Sequence, residues 1–155
     1  QLDRFMLKIS LGYPDLETER NMLLHHQASQ PADRLEAVAH MEQIADIQQE
    51  IRNIYMDEAV TSYLLDIVRA TREHPSVLLG ASPRAALAFV MAAKAFAFQD
   101  NRDYVLPDDV KALAPYVLTH RLLLRPEARL DSSNAQSVLQ SVLRQVHVPV
   151  RMERS

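Results

Sequence analysis

The chain has 155 residues, of which 24% are charged, and its formal net charge is −3 at pH 7. Its acidic and basic residues are interspersed, which argues against a dedicated nucleic-acid surface, and the absence of cysteine excludes disulfides and thiolate metal sites. With two glycines, Gly12 and Gly80, the chain can form neither of the phosphate-binding loops GxxxxGK(S/T) and GxGxxG. No apolar run approaches the length of a membrane span and no signal peptide is visible, so we expect a cytoplasmic protein.

The first apolar segment, residues 5–11, is typical of a short β-strand that ends in a turn at residues 12–14. A single strand is not stable without a partner, and within the chain only the apolar run 121–125 offers one. We therefore expect an ordered N-terminus whose apolar side chains make intermolecular contacts, most simply in a two-fold dimer. These side chains are Phe5, Met6, Leu7, Ile9 and Leu11.

From residue 15 onward the pattern is helical. Asp15 can cap a helix that runs to about His26, and residues 28–40, which contain Pro31, are predicted to be irregular. Apolar residues at helical spacing then predict five further helices. They are residues 41–53, a helix capped by Asp57, residues 83–99, a helix from Pro107 and residues 134–145. The alanine-rich helix 83–99 should be central and buried, and Pro115 should kink or restart the helix after it.

The start of helix 83–99 is the candidate site from residue chemistry. Ser82 is a good N-cap because its hydroxyl can accept from a free backbone N–H of the first turn, and Pro83 suits the first helical position. Arg84 follows, in a turn where the helix dipole favours anions. Either Arg84 helps to bind an anion such as phosphate, or it is solvated or paired with a local carboxylate.

Six stretches, in their order and spacing, resemble one family. They are Leu2-Asp3-Arg4-Phe5, Gly12-Tyr13-Pro14-Asp15, Arg69-Ala-Thr-Arg72, Gly80-Ala-Ser-Pro-Arg84-Ala, Asp103-Tyr-Val-Leu-Pro-Asp-Asp-Val110 and His120-Arg121. Over nearly the whole chain they resemble the end of the core and the lid of MoxR-type AAA+ ATPases. The fold class that we expect is an all-α, lid-type helical bundle preceded by one short leftover β-strand.

The resemblance implies roles for particular residues. Arg4 matches the arginine finger, which reaches the γ-phosphate bound by a neighbouring subunit. Arg84 matches the sensor-2 arginine, which reaches the γ-phosphate in its own subunit, and Ser82 and Pro83 adjoin it on the nucleotide side. In both places a fixed guanidinium stabilises the charge that spreads over the phosphoryl oxygens.

The resemblance also implies what lies around this chain. The nucleotide-binding core, with the phosphate loop and the metal ligands for ATP and Mg²⁺, would precede Gln1, so we expect no ATP hydrolysis by this chain alone. Residues 1–13 would be a remnant of that core, residues 14–147 the lid and residues 148–155 a loose tail. The parent would be a ring-forming, chaperone-like remodelling ATPase, with a hexamer expected and von Willebrand A-domain proteins as possible partners.

Other interpretations of the sequence have less support. The six histidines show no metal-ligand spacing, since the adjacent His25 and His26 point to different sides of a helix. A catalytic triad of Ser82, His74 and an aspartate has nothing in the sequence to bring it together. The alternative function is a stand-alone helical protein-interaction module with no nucleotide role. A Walker A motif encoded about 150–200 residues upstream of Gln1, a typical domain length, would exclude it.

Overall fold

The structure is a computed structural model that describes residues 1–26, 35–130 and 134–149. Its α-helices are α1 (Leu16–His26), α2 (Met41–Asn53), α3 (Glu58–Glu73), α4 (Pro83–Gln99), α5 (Pro107–Leu118), α6 (Pro126–Leu130) and α7 (Ala135–Gln145). Short 3₁₀ helices span Leu2–Arg4 and Thr119–Arg121. The predicted all-α class is therefore confirmed. Residues 28–34, which were predicted to be irregular, and the part of the predicted tail from residue 150 onward lie outside the described residues.

The chain forms two compact units. One contains Gln1–Lys8 and the residues from Gln49 onward, and the other contains Ile9–Gln48. The division falls within α2. No helix among the described residues is long and apolar enough to cross a membrane.

Capping side chains fix the starts of three helices, and two of these caps, Asp15 and Asp57, are predicted from the sequence. The carboxylate of Asp15 accepts from the backbone N–H of Thr18 at 2.7 Å, and this bond lowers the pKa of Asp15 below its ordinary value. The side chain of Asp57 accepts from the N–H of Ala59 at 2.8 Å, and that of Asn134 accepts from the N–H of Ser137 at 2.8 Å. The predicted helix beginnings are confirmed at these positions.

The core of the larger unit is built from α3, α4, α5 and α7, with α4 packed against both α3 and α5. Small side chains let α4 approach its neighbours closely, and a single large residue, Phe89, is fully buried among them. The buried positions of α4 are Ala85, Phe89, Ala92, Ala93 and Ala97. The central position predicted for this helix is confirmed.

Two details of α5 differ from the usual helix pattern. Leu106, the residue before the helix, has no capping side chain, and instead its backbone N–H donates to the buried carboxylate of Asp109 at 2.8 Å. That carboxylate also accepts two hydrogen bonds from Arg102, at 2.7 and 2.8 Å, which raise the pKa of Arg102. The helix continues through Pro115 to Leu118 without a restart, since the proline lies in its last turn and removes only one backbone bond.

The strand predicted at residues 5–11 is wrong. These residues are not paired as a strand, because the backbone carbonyl oxygens of Phe5 and Met6 accept from the Arg121 side chain instead of from a sheet neighbour. The Phe5 and Met6 side chains remain exposed, by 63% and 49%. The expected association between copies through these side chains stays a prediction.

The strands lie elsewhere in the chain. β1 (Val77–Leu79) pairs antiparallel with β2 (Leu123–Leu124), with Val77 opposite Leu124 and an irregular register toward Leu79. Val77, Leu124 and Val138 of α7 form a small second core beneath this pair. The apolar run near residue 123 does supply a strand, but its partner precedes α4 and was not predicted.

Tyr63 on α3 provides a test of the core. Its side chain is 2% exposed and its hydroxyl has no hydrogen-bond partner among the described residues. Burial raises the pKa of Tyr63, and the negative charge of Asp108 raises it further. A raised pKa means that the folded state holds this proton more tightly than the unfolded chain. The associated stability is therefore fully present below about pH 10 and is lost as the pH rises through the folded-state pKa.

We predict that Tyr63→Phe keeps or raises the free energy of unfolding near neutral pH, because it removes a buried and unpaired hydroxyl. Above about pH 10 the unchanged protein should lose more stability than the variant. Thermal unfolding followed by circular dichroism at both pH values measures this, with Tyr116→Phe at an exposed position as the control. A loss of more than about 1 kcal/mol in Tyr63→Phe near neutral pH would mean that the hydroxyl is hydrogen-bonded after all.

Candidate functional site

The loop that leads into α4 is fixed by side chains from the end of α3. The backbone N–H of Ala81 donates to the hydroxyl of Thr71 at 3.0 Å, and that hydroxyl donates in turn to the carbonyl of Val68 at 2.6 Å. The carbonyl of Ala81 accepts from Nε of Arg72 at 2.7 Å. Both backbone polar groups of the buried Ala81 are thus satisfied, which holds the loop in one conformation.

Gly80 lets this loop lie directly on the backbone of α3. A Cβ atom at Gly80 would lie 2.7 Å from both the Cα and the backbone N of Arg72. Atoms of a helix backbone cannot move aside as the end of a flexible side chain can. Gly80 is therefore required by close approach and not by an unusual backbone angle.

The first turn of α4 presents an arginine without an acidic neighbour. Ser82 is the N-cap, since its Oγ accepts from the N–H of Ala85 at 3.2 Å, and Pro83 takes the first helical position. Arg84 follows and is exposed, and the first turn contains no acid. Within the described part of the chain Arg84 forms no ion pair, so the pairing of Arg84 with a local carboxylate is not observed.

Ser82 also connects α4 to the start of the chain. Its hydroxyl donates to the carboxylate of Asp3, with both carboxylate oxygens at 3.0 Å. The Ser82 hydroxyl therefore accepts from the helix and donates its one proton to Asp3, so that it connects the two elements.

Arg121 holds the same N-terminal segment from the other side. Its side chain is only 1% exposed, and its Nε donates to Asp3 Oδ1 at 3.2 Å. Its Nη2 donates to the backbone carbonyls of Phe5 at 2.6 Å and Asp3 at 3.3 Å. Its Nη1 donates to the carbonyl of Met6 at 3.1 Å and to that of Val117. We call Asp3, Ser82 and Arg121 the N-terminal junction.

The pKa of Arg121 reflects its burial and its charged neighbours. Burial lowers the pKa of Arg121 below its ordinary value, the Asp3 carboxylate opposes that effect, and the positive charge of Arg84 lowers the pKa further. Two further contacts hold the segment, since His120 Nε2 donates to the carbonyl of Phe5 at 3.0 Å and the N–H of Lys8 donates to the carbonyl of Tyr116 at 2.9 Å.

Arg4 lies in the segment that the junction holds. Its neighbours Asp3 and Phe5 are both bonded to Arg121, whereas the Arg4 side chain is exposed. Among the residues that the structure describes, Arg4 forms no ion pair, because the carboxylate of Asp3 is engaged by Ser82 and Arg121. Asp3 and Arg4 therefore do not form a surface ion pair with each other.

The imagined catalytic triad is not assembled. His74 Nδ1 accepts from the backbone N–H of Ser76 at 3.2 Å, while the hydroxyl of Ser82 bonds to Asp3. No cluster of three or more histidine or acidic side chains that could hold a metal ion occurs in residues 1–26, 35–130 and 134–149.

Sequence reasoning gave no structural role to four residues that build this site. Thr71, Arg72, Asp3 and Arg121 all lie in the stretches that carry the family resemblance, but their partners are distant in sequence. One signal for Arg121 was available in the sequence, since it directly precedes the apolar residues 122–124. A basic residue there can be buried with the apolar run, and a buried charge needs compensating partners.

Comparisons with known proteins agree on one family. Residues 69–142 match the AAA lid domain. The chain is 41% identical to "Uncharacterized protein YeaC" of Bacillus subtilis, over 97% of this chain and 47% of that protein. It is 34% identical to "Chaperone MoxR1" of Mycobacterium tuberculosis, over 96% of this chain and 41% of that protein. The chain thus spans somewhat under half the length of these relatives.

A solved structure has the same fold. The crystal structure of "a putative ATPase" from Cytophaga hutchinsonii superimposes with a TM-score of 0.84 and is 33% identical in sequence. The match covers 96% of this chain and 48% of that one.

We predict that Gly80→Ala lowers the free energy of unfolding by about 1–3 kcal/mol, because the added methyl group would overlap with the α3 backbone. Gly12→Ala is the matched control. Gly12 has a φ of +70° and nothing within 4 Å of an added Cβ, so only backbone strain of about 1 kcal/mol is expected there. Urea unfolding of both variants makes the comparison. Equal losses in the two would contradict the close approach at Gly80.

Proposed function

The chain belongs to the MoxR-type AAA+ ATPases and contains their lid domain, and on this premise we propose that it supplies two arginines to ATP hydrolysis in the full-length protein. Arg84 acts as the sensor-2 arginine on the γ-phosphate of its own subunit. Arg4 acts as the arginine finger on the γ-phosphate of a neighbouring subunit. Ser82 and Pro83 adjoin the nucleotide and set the start of the helix that carries Arg84.

The exposure of Arg84 and its lack of an ion pair support this proposal most directly. Arg84 is exposed in the first turn of α4, at the positive end of the helix dipole, and forms no ion pair among the described residues. A cation at that end of a helix is locally unfavourable, whereas an anion placed there interacts favourably with both the dipole and the guanidinium.

The chemistry suits phosphoryl transfer. Negative charge spreads over the phosphoryl oxygens in the transition state, and a guanidinium held in place beforehand stabilises that charge without reorganising. The residues of this chain fit the phosphate end of ATP. We assign the phosphate loop and the Mg²⁺ ligands to the nucleotide-binding core, and residues 1–13 belong to that core. Residues 14–147 form the lid.

The wider role of the protein follows from the family. We propose a ring-forming, chaperone-like remodelling ATPase in the cytoplasm, in which each lid lies between its own nucleotide and the neighbouring subunit. One relative carries the name chaperone, which supports the remodelling role. Von Willebrand A-domain proteins are the proposed partners.

We predict that Arg84→Ala in the full-length protein lowers the turnover number about 10²–10³-fold, as does the loss of one charge-stabilising donor. Because Arg84 is exposed and outside the core, the free energy of unfolding should change by less than about 1 kcal/mol. Steady-state ATP hydrolysis and thermal unfolding measure the two effects. Arg144→Ala, at an exposed arginine of α7, is the control and should have no effect on either. Wild-type turnover in Arg84→Ala would disprove the sensor-2 role.

Arg4→Ala should also abolish hydrolysis, but a mixing experiment distinguishes its role from that of Arg84. Subunits with Arg4→Ala keep an intact phosphate loop, and subunits with an inactivated phosphate loop keep Arg4. If Arg4 acts across the interface, mixed rings should recover part of the turnover that each variant lacks alone. Arg84→Ala subunits mixed in the same way should recover none at their own sites. If no ratio of Arg4→Ala subunits restores activity, Arg4 does not act on a neighbouring site.

A further inference from the structure

We propose that Asp3, Ser82 and Arg121 are positioning residues that hold Arg4 and Arg84 in one fixed arrangement. This inference rests on the proposed function, since it assigns to the N-terminal junction the geometry that the two arginines need. None of the three residues has to touch the nucleotide for this role.

On one side the junction fixes the backbone around Arg4. The Arg121 guanidinium donates to the carbonyls of Asp3, Phe5 and Met6, which lie before and after Arg4 in the chain. A planar guanidinium has five donors in a rigid fork, so its contacts fix the direction of the segment as well as its distance. The burial of the Arg121 side chain keeps water from competing for these donors.

On the other side the junction fixes the start of α4. Ser82 lies two residues before Arg84, and its hydroxyl both caps the helix and donates to the Asp3 carboxylate. The end of α3 holds the preceding residue, Ala81, through Thr71 and Arg72. A shift of the N-terminal segment therefore acts on the helix turn that carries Arg84.

Asp3 takes part in both sets of contacts, those of Arg121 and those of Ser82. Its Oδ1 accepts from Arg121 and from Ser82, and its Oδ2 accepts from Ser82. Asp3 directly precedes Arg4 in the chain, so one carboxylate connects the two arginines by a short path. If Arg4 and Arg84 act on two different nucleotides, this path also joins the two sites within one subunit.

The test replaces Ser82 by an acidic residue, which can still cap α4 but repels the Asp3 carboxylate. In the full-length protein, Ser82→Asp keeps an N-cap acceptor for α4 and places a second carboxylate against that of Asp3. We expect the turnover number to fall about 10²-fold, as a misplacement of about 1 Å can cause, with a smaller change in KM for ATP. Adding Asp3→Asn supplies an amide donor toward position 82 while its oxygen still accepts from Arg121. This double variant should return turnover to within about tenfold of the unchanged protein.

A second pair of variants covers the case in which Ser82→Asp does not fold. Ser82→Ala and Asn134→Ala each remove the side-chain acceptor of a helix N-cap, but only Ser82→Ala also loses a bond to Asp3. Ser82→Ala should therefore lower turnover and speed amide hydrogen exchange at Lys8, whereas Asn134→Ala should do neither. Equal effects of the two variants would overturn the proposal.

The outcomes separate the two levels of inference. If Arg84→Ala and Arg4→Ala slow hydrolysis but Ser82→Asp leaves it unchanged, the positioning role fails and the proposed function stands. If Ser82→Asp slows hydrolysis and Asp3→Asn does not restore it, the Asp3–Ser82 contact is not the cause and the proposal is overturned. Unchanged hydrolysis in both arginine variants overturns the proposed function and this inference together.

Discussion

The buried charge of Arg121 is the constraint on which the arrangement of the larger unit depends. A guanidinium out of contact with water needs a counter-charge and a partner for its donors, because an uncompensated buried charge is strongly destabilising. The chain meets this need with one carboxylate and four backbone carbonyls, and all but the carbonyl of Val117 come from residues 3–6. The position of the N-terminal segment is thus a consequence of satisfying Arg121. Arg102 is satisfied near the other end of α4 by a local pair with Asp109, which fixes no distant segment.

The loop before α4 supplies the second constraint, and it is steric as well as polar. Gly80 allows contact with the α3 backbone, while Thr71 and Arg72 satisfy the N–H and carbonyl of Ala81. Ser82 then begins α4 at a place that α3 determines. Because Ser82 also bonds to Asp3, the loop constraint and the Arg121 constraint meet at one hydroxyl. The helix start is therefore held from the core and from the N-terminal segment together.

The sequence predicts those features that depend on near neighbours. Capping by Asp15, Asp57 and Ser82 and the apolar stripes of the helices need only residues a few positions apart, and the structure confirms them. The strand at residues 5–11 was predicted wrongly because an apolar run does not say what its backbone groups will bond to, and here a side chain 115 or more positions away takes two of its carbonyls. The contact between Ser82 and Asp3 spans 79 positions and leaves no periodic trace in the sequence. Site residues could be proposed by resemblance, but the junction that holds them could not.

The junction leaves an excess of positive charge at the start of α4. The Asp3 carboxylate is bonded to Arg121 and Ser82, and neither Arg84 nor Arg4 forms an ion pair among the described residues. Like charges held together on a rigid frame raise the free energy of the folded state until an anion compensates them. An anion bound beside Arg84, as we propose for the γ-phosphate of ATP, would compensate this charge.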